Sequence, residues 1–264
     1  ASLRKLDISH NRLQTLPTEI SECTELLILN AQDNDLVELP AKLTTGCRNL
    51  RKINLSENEL LRLPEDVGNL ARLESLLLFR NQLQVLPESL GLLDNLHTLD
   101  VSVNHLTALP YSIGGCSQLT ALNVSWNRVE VIPQSLGVGL HKLLTLNASN
   151  NIVHFLPTDM SGLTSLESFD MTFNELISLP ESLPMMTNLK SLAISNNRVN
   201  VLPKNFGDMR LMTKVLMRNN MLEALPATIG YLRRLKVLDF AKNNVKTLPP
   251  EMGALLALTH IDGS

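Results

Sequence analysis

The chain is poor in aromatic residues and has no long apolar run. Aromatics make up only 3% of its 264 residues, with a single tryptophan, although hydrophobic residues reach 44%. A core of this composition is expected to be aliphatic. No apolar segment approaches the roughly 18 residues that a membrane-spanning helix needs, and no charged segment followed by an apolar one opens the chain. We therefore expect no membrane insertion and no secretory signal within this sequence.

The chain also lacks an excess of positive charge and the common catalytic motifs. Its 23 Lys and Arg residues against 26 Asp and Glu give a formal net charge of -3. Nonspecific nucleic-acid binding needs a basic face that releases counterions, so we do not expect it here. There is no H-E-x-x-H pair, no P-loop and no G-x-S-x-G. We predict that the chain is not an enzyme and holds no metal or other cofactor.

What the chain does contain is a repeat with a step of about 23 residues. The frame Leu-x-x-Leu-x-Ile-x-x-Asn-x-Leu-x-x-Leu-Pro runs from Leu3 to Pro17 and returns ten times, and a truncated twelfth copy starts at Leu258. A fixed period of this length is typical of a solenoid, in which each unit packs only against its neighbours. We predict one domain over residues 1–264, with eleven repeats and a partial twelfth. Because it begins and ends inside a repeat, without polar caps, we expect a segment of a longer protein.

Each repeat predicts a short strand, a turn and a short helical segment. In the fifth copy, Leu99 and Val101 alternate with polar residues, as in a strand buried on one face. Asn104 follows, as an asparagine does in every copy, and its amide can satisfy backbone groups where the chain turns. Pro110 fixes the next turn, and apolar residues three apart behind it indicate a short helix. The predicted fold is an α/β solenoid: an arc with a parallel concave sheet and short helices or 3₁₀ turns on its convex side.

Three kinds of irregularity interrupt the repeat. Two copies carry an extra residue, near Gly46 and Gly139, which we expect on the convex side. Two copies place a small residue, Ala31 or Ala148, at an inward strand position and are expected to be underfilled. The cysteines replace the Leu or Met found three residues before the first Leu of other repeats, so we predict buried thiols. These cysteines are Cys23, Cys47 and Cys116. The absence of paired cysteines favours a reducing compartment, and we predict a cytoplasmic location.

An apolar strip on the concave face is the best candidate for a functional surface. Outward positions that are polar in most repeats carry large apolar residues in the fourth to eighth copies: Leu77, Phe79, Val103, Trp126, Ile152 and Phe173. Trp126 immediately precedes the asparagine of its repeat, as Phe173 does two repeats later. Aromatic residues ringed by polar ones are typical of interaction hot spots. The alternative is that these side chains pack on their neighbours and stiffen the sheet.

Charged residues are zoned on either side of the strip. The second and third repeats supply Asp33, Asp35, Glu57 and Glu59, and the ninth to eleventh supply Arg198, Lys214, Arg218 and Lys242. Opposite charges placed in this way can steer a charged partner. We therefore add Arg198 and Arg218 to the six apolar residues as predicted partner-binding residues.

The full frame, Leu-x-x-Leu-x-Leu-x-x-Asn-x-Leu-x-x-Leu-Pro-x-x-Ile-x-x-Leu, covers the whole chain. It resembles the 23-residue repeats of intracellular leucine-rich repeat proteins, including Shoc-type Ras and phosphatase scaffolds, Scribble and Erbin, and the plant Ras-group proteins. The resemblance implies a scaffold that binds a protein or peptide partner on its concave face in intracellular signalling. The basic-Val-x-aromatic phosphatase-docking motif is absent, since Arg128-Val129-Glu130-Val131 and Arg198-Val199-Asn200-Val201 lack the aromatic residue.

Two other hypotheses fit the same repeat. The chain could be the sensing domain of a larger kinase, GTPase or phosphatase, with catalysis on another part. It could also be a receptor ectodomain, for which N-glycosylation sequons would be acceptors. Three sequons fall within the repeat consensus, at Asn54, Asn123 and Asn147.

Overall fold

The computed structural model describes residues 2–264, which form twelve strands of three residues each. The chain divides into two compact units, a first unit that ends at Arg128 and a second unit that begins at Val129. In the first unit each strand pairs in parallel with the next strand of the sequence. These strands are β1 (Lys5–Asp7), β2 (Ile28–Asn30), β3 (Lys52–Asn54), β4 (Ser75–Leu77), β5 (Thr98–Asp100) and β6 (Ala121–Asn123).

The second unit repeats the arrangement with six more parallel strands in chain order. They are β7 (Thr145–Asn147), β8 (Ser168–Asp170), β9 (Ser191–Ala193), β10 (Lys214–Leu216), β11 (Val237–Asp239) and β12 (His260–Asp262). Equivalent residues of consecutive coils lie side by side, as in the pairing of Val215 with Leu238. The predicted solenoid with parallel strands is therefore confirmed.

The segments that return from one strand to the next are mostly short 3₁₀ helices. In the first unit they are Thr18–Glu22, Val67–Asn69, Glu88–Leu92 and Tyr111–Gly115. In the second unit they are Leu183–Met185, Phe206–Asp208, Ala227–Tyr231 and Pro250–Ala254. The repeat proline starts this segment, as predicted: the Pro110 carbonyl accepts the Ile113 amide at 3.1 Å, and Pro110 itself has extended backbone.

The two α-helices lie in the two coils that carry an extra residue. They are α1 (Leu43–Gly46) and α2 (Gln134–Gly139). The Cys47 amide bonds to the Leu43 carbonyl four residues back, whereas the equivalent Cys116 amide bonds to Ile113 three residues back. One added residue therefore converts the tight 3₁₀ turn into an α turn. This confirms that the insertions lie in the return segment, opposite the strands.

The core of each coil lies between the strands and the return segments. In the fifth coil Leu99, Val101 and Ile113 are completely buried, and each such side chain contributes roughly 1.5–3 kcal/mol of gross transfer free energy. The composition led us to expect a wholly aliphatic core, but the core also contains aromatic residues. Phe169 and Phe206 are also enclosed, at inward positions that Leu, Ile or Val hold in most other coils.

The predicted asparagine ladder ties neighbouring coils together. The Asn104 amide donates to the Leu78 carbonyl of the preceding coil at 3.0 Å, and its oxygen accepts the Leu83 amide at 2.9 Å. The buried members of the ladder are Asn34, Asn58, Asn81, Asn104, Asn151, Asn174, Asn197 and Asn220. Asn127 makes the same bonds but is only half-buried. Backbone groups that would otherwise be unpaired in the core are thereby satisfied.

The cysteines only partly follow the sequence-based prediction. Cys47 and Cys116 are completely buried free thiols, but Cys23 is half-buried. The prediction was wrong for Cys23 because its coil is the first and packs against a described coil on one side only. Desolvation raises the pKa of the Cys47 thiol, with a smaller effect from Cys23, and burial raises the pKa of Cys116 to about 12.

Candidate protein-binding surface

The residue before each ladder asparagine adopts a left-handed backbone conformation. Its φ lies between 54° and 57° in all eleven coils where it occurs among residues 2–264. These residues are His10, Asp33, Glu57, Arg80, Val103, Trp126, Asn150, Phe173, Asn196, Asn219 and Lys242. Asn, Asp and His tolerate this region better than other residues with a Cβ. The scaffold therefore favours small polar residues here, as five of these positions show.

Three of these positions carry residues that the left-handed backbone disfavours. Val103 is β-branched at a φ of 54°, and Trp126 and Phe173 are bulky aromatics at 55° and 54°. Such conformations are unfavourable by on the order of 1–3 kcal/mol and cluster at ligand-binding sites. Packing does not offset this, because Trp126 is 61% exposed and Phe173 is 55% exposed. The fold alone gives no reason for these side chains.

Phe79 departs from the repeat in a different way. The equivalent position holds buried Ser102 and Ser125 in the following coils of the first unit. Phe79 is half-buried there, and the Arg80 guanidinium lies 5.4 Å from the centre of its ring. This contact is a cation–π interaction. Phe79 is therefore a third large aromatic residue that the scaffold does not require.

A second polar ladder, which the sequence analysis missed, shows why Leu77 is unusual. The last residue of most strands is Asp or Asn, and its side-chain oxygen accepts the backbone amide two residues later. Asp100 accepts Ser102 in this way at 2.9 Å, and Asn123 accepts Ser125 at 3.2 Å. Leu77 ends β4 and has no such acceptor. The signal was present in the sequence, as recurring Asp or Asn four residues before the ladder asparagine.

The exposed side of the strands and of their asparagine turns is called the sheet face below. In the first unit its apolar residues form one group, the first-unit patch, defined as Leu77, Phe79, Val103 and Trp126. The Val103 carbonyl accepts the Asn81 amide at 3.2 Å, and the Trp126 carbonyl accepts the Asn104 amide at 3.1 Å. Val103 and Trp126 therefore hold the same position in adjacent coils, one strand spacing of about 4.8 Å apart.

The other four predicted residues lie in the second unit. Phe173 follows β8, with Asn150 and Asn196 at the same position of the coils on either side. Ile152 is exposed in the coil before it, beside the ladder residue Asn151. Phe173 is thus an exposed aromatic residue with a polar asparagine at the same position in each adjacent coil.

Arg198 and Arg218 are both paired with carboxylates of the protein, whereas the zoning hypothesis assumed that their charges were available to a partner. Arg198 lies 3.0 Å from Glu175, and Arg218 lies 2.9 Å from Asp262. Bonds from Ser264 and then from Arg218 hold the pKa of the Asp262 carboxyl below its usual range. The acidic zone is partly paired too, since Asp33 bonds to His10 at 2.8 Å. Exposed ion pairs of this kind contribute little to stability, so a partner can rearrange them.

The second unit carries a further exposed apolar row that sequence reasoning missed. Val131 and Phe155 stand two residues before the repeat proline, are both more than half exposed, and form an isolated parallel bridge. Val201 holds the same position and is similarly exposed. The same position holds Thr15, Glu38 and Arg62 in the first three coils but exposed Val85 in the fourth, so apolar residues occur here in both units.

Within residues 2–264 no group of three or more His, Cys, Asp or Glu residues could hold a metal ion. A cleft of about 520 Å³ lies beside Pro40 and Pro64, on a different part of the first unit from its patch. Over the same described stretch of chain, no helix is long and apolar enough to cross a membrane.

Comparison with known proteins matches the repeat. A leucine rich repeat family model covers residues 24–83 and 117–176, and a second model of this repeat covers residues 2–23. No curated protein is significantly similar to the chain in sequence. Among solved structures, the LRR protein LIC12759 of Leptospira interrogans shares 29% identity at a TM-score of 0.75, over 98% of this chain and 72% of that one.

Two plant receptors are similar as well. The peptide hormone receptor RGFR1, solved in complex with RGF2, is 29% identical at a TM-score of 0.81, over 99% of this chain and 47% of that one. The ectodomain of the Arabidopsis thaliana receptor kinase GASSHO1/SCHENGEN3, in complex with CASPARIAN STRIP INTEGRITY FACTOR 2, is 28% identical at 0.80, over 97% and 35%. The chain thus spans about half or less of the length of these two receptor chains.

Proposed function

Because the chain belongs to the leucine-rich repeat family, we propose that it is an interaction scaffold that binds a protein or peptide partner through its sheet face. Leucine-rich repeat domains are typically binding modules without catalytic activity. They present outward residues on closely spaced parallel strands, so little ordering is needed on the receptor side when a partner binds. The proposed anchors are the first-unit patch and, separately in the second unit, Phe173 with Ile152.

One observation carries this proposal. Large apolar side chains are both exposed and held in a backbone conformation that favours Asn or Asp, at Val103, Trp126 and Phe173. Each is unfavourable for folding in two respects, through strain and through exposed apolar surface. A bound partner would remove the apolar surface from water. Trp126, the only tryptophan, is the residue type most often found at the centre of such contacts.

The comparisons support a partner of modest size. Two of the similar structures contain a receptor bound to its ligand, and one is described as a peptide hormone receptor. An extended peptide can place its side chains between Trp126 and Phe79 while polar neighbours such as Arg80 orient it. We propose a peptide segment of a protein as the ligand class, with apolar residues facing the patch.

We further propose that the scaffold works in intracellular signalling, in the cytoplasm. Its three cysteines are free thiols, and two of them are completely buried. The sequon asparagines are built into the second polar ladder: Asn54 donates to Gln32 at 2.9 Å, and Asn147 accepts the Ser149 amide at 3.0 Å. Their presence is explained by turn geometry without any need for glycans.

The similarity to plant receptors favours one alternative, a receptor ectodomain. This alternative predicts glycans on Asn54, Asn123 or Asn147 in the native protein. Mass spectrometry of these three peptides after glycosidase treatment in heavy-oxygen water decides between the two. Asparagine unchanged at all three sites supports the cytoplasmic proposal, and conversion to aspartate at any of them overturns it.

Site-specific photo-crosslinking tests the binding proposal itself. A photoreactive phenylalanine analogue replaces Trp126 in one sample and Tyr111 in a control sample. Tyr111 is 68% exposed in a return segment of the same unit. We expect a discrete crosslinked protein from position 126 that is absent from position 111. Equal crosslinking at both positions, or none at 126, would remove the sheet face as the binding surface.

A further inference from the structure

In several coils, side chains in the turn between a return segment and the next strand form hydrogen bonds within the protein. At one position of this turn, asparagine side chains donate to a backbone carbonyl of the preceding coil: Asn49, Asn95 and Asn188. Two arginines of this turn in the first unit also donate hydrogen bonds within the protein. The Arg48 Nε donates to the Thr45 carbonyl at 3.1 Å, and Arg72 donates to the Asn49 side chain at 2.7 Å.

Three arginines of the second unit break this pattern. Arg210 and Arg233 hold the position of Arg48 in consecutive coils, and Arg234 holds the position of Arg72. Lys214 pairs with Val237 in the adjacent strands, so Arg210 and Arg233, each four residues earlier, hold equivalent positions in adjacent coils. In the part of the chain that the structure describes, none of the three side chains forms a hydrogen bond or an ion pair. Asp208, two residues before Arg210, forms no ion pair with them either.

The three arginines and Tyr231 line an open cleft of about 440 Å³, called the arginine cleft. No carboxylate lines it. Unpaired guanidinium groups brought together repel one another, and this arrangement is relieved by an anion. Guanidinium forks match the oxygens of a phosphate group and bond to it in pairs, and the Tyr231 hydroxyl adds a further donor. A group with a double negative charge fits this donor set better than a single carboxylate.

We propose that the arginine cleft binds a phosphorylated side chain in an extended segment of a partner protein. Leu256, which is 90% exposed, occupies the position of Arg233 in the next coil. It offers an apolar contact beside the charged cleft, which a neighbouring side chain of a peptide can use and a free phosphate ion cannot. The charges converge on a cleft lined by four residues, whereas a membrane surface is matched by a broad, flat basic face. This site is separate from the sheet face and does not depend on its proposed role.

Fluorescence polarisation with short labelled peptide pools tests the proposal. The pools carry a central phosphoserine, phosphothreonine or phosphotyrosine between degenerate flanks, and each has an unphosphorylated twin. The test variant is Arg210→Gln with Arg233→Gln. The matched control is Arg48→Gln with Arg72→Gln, which removes two positive charges from the same turn of consecutive coils in the first unit. All four arginines are exposed, so both variants are expected to fold.

We expect at least one phosphorylated pool to bind about tenfold or more tightly than its twin, which corresponds to about 1.4 kcal/mol. The Arg210 and Arg233 variant should lose this preference, while the Arg48 and Arg72 variant and Trp126→Asn should keep it. Three results would overturn the proposal: no preference for phosphate in any pool, an equal loss in the control variant, or inorganic phosphate that binds as tightly as the best pool. Stronger, arginine-dependent binding to phosphatidylserine vesicles would assign the cleft to a membrane surface instead.

Discussion

At the residue scale, the left-handed position before each ladder asparagine distinguishes residues that suit the backbone conformation from residues that do not. Asn150, Asn196 and Asn219 adopt this conformation with a side chain that suits it. Val103, Trp126 and Phe173 adopt it without that advantage and without burial. Strain combined with exposure therefore distinguishes these three residues from Tyr111 and Leu256, which are exposed but have no left-handed backbone.

Replacing Val103 by asparagine should stabilise the fold. The change relieves a β-branched residue at a φ of 54°, and we expect a gain of about 1 kcal/mol in the free energy of unfolding. Urea unfolding midpoints with unchanged slopes measure this gain. The matched control is Val101→Asn, which places a polar residue in the core two positions earlier and should destabilise strongly. A loss of stability in Val103→Asn would show that its side chain packs as part of the fold.

The asparagine ladder predicts unequal effects for two asparagine-to-alanine changes. Asn104→Ala leaves the Leu78 carbonyl and the Leu83 amide without their buried partner, a loss of roughly 1–3 kcal/mol. Asn200→Ala changes an exposed residue that makes no side-chain hydrogen bond within residues 2–264, so its effect should stay within about 0.5 kcal/mol. Equal unfolding midpoints would argue against the ladder as a stabilising element.

Thiol labelling should follow burial rather than sequence position. In native protein at pH 8, a bulky maleimide should react first with half-buried Cys23. Cys116 should react only on unfolding, because burial excludes the reagent and raises its pKa to about 12, which leaves little reactive thiolate. Mass spectrometry of each cysteine peptide over time gives the rates. Native labelling of Cys116 as fast as that of Cys23 would contradict the core position.

At the element scale, most return segments are packed so closely against the next coil that their glycines leave no room for a side chain. A side chain at Gly230 would meet the Glu251 carbonyl of the next coil, whereas the equivalent Gly253 faces open space. Gly230→Ala should therefore destabilise the protein by about 1–3 kcal/mol through overpacking. Gly253→Ala should leave the thermal midpoint unchanged or slightly raised, since alanine restricts the unfolded chain. Similar losses in both variants would mean that backbone freedom, not the contact, is limiting.

The elements also show how far the sequence could be interpreted. The strands, the ladder and the start of each return segment at proline follow from residue period and chemistry, and the structure confirms them. The change from a 3₁₀ turn to α1 or α2 depends on one added residue. The sequence shows where that residue is, but it does not predict the hydrogen bonding that results. Left-handed backbone at Trp126 and internal pairing of Arg198 depend on three-dimensional geometry that no residue pattern specifies. The arginine cleft was missed because Arg210 and Arg233 look like ordinary surface charges until neighbouring coils are placed together.

At the scale of the whole molecule, we propose different binding chemistries for two kinds of surface. The sheet face carries the apolar residues that we propose as anchors, and the arginine cleft of the second unit carries positive charge without an internal partner. Apolar anchors set the residence time of a complex, whereas exposed charge mainly sets the association rate and its salt dependence. A scaffold with both surfaces can require that a partner carry both a suitable apolar segment and a phosphate. The variants described for each surface test the two requirements separately.

The most direct test measures stability and affinity together in Trp126→Asn, against the partner captured at position 126, with Tyr111→Ser as the control. We expect Trp126→Asn to be as stable as the parent or more so, because asparagine suits the left-handed backbone. We also expect it to lose about 2 kcal/mol or more of affinity, roughly thirtyfold, while Tyr111→Ser binds as the parent does. Unchanged affinity in Trp126→Asn, or a loss of stability that accounts for weaker binding, would contradict the claim that the sheet face is a binding surface.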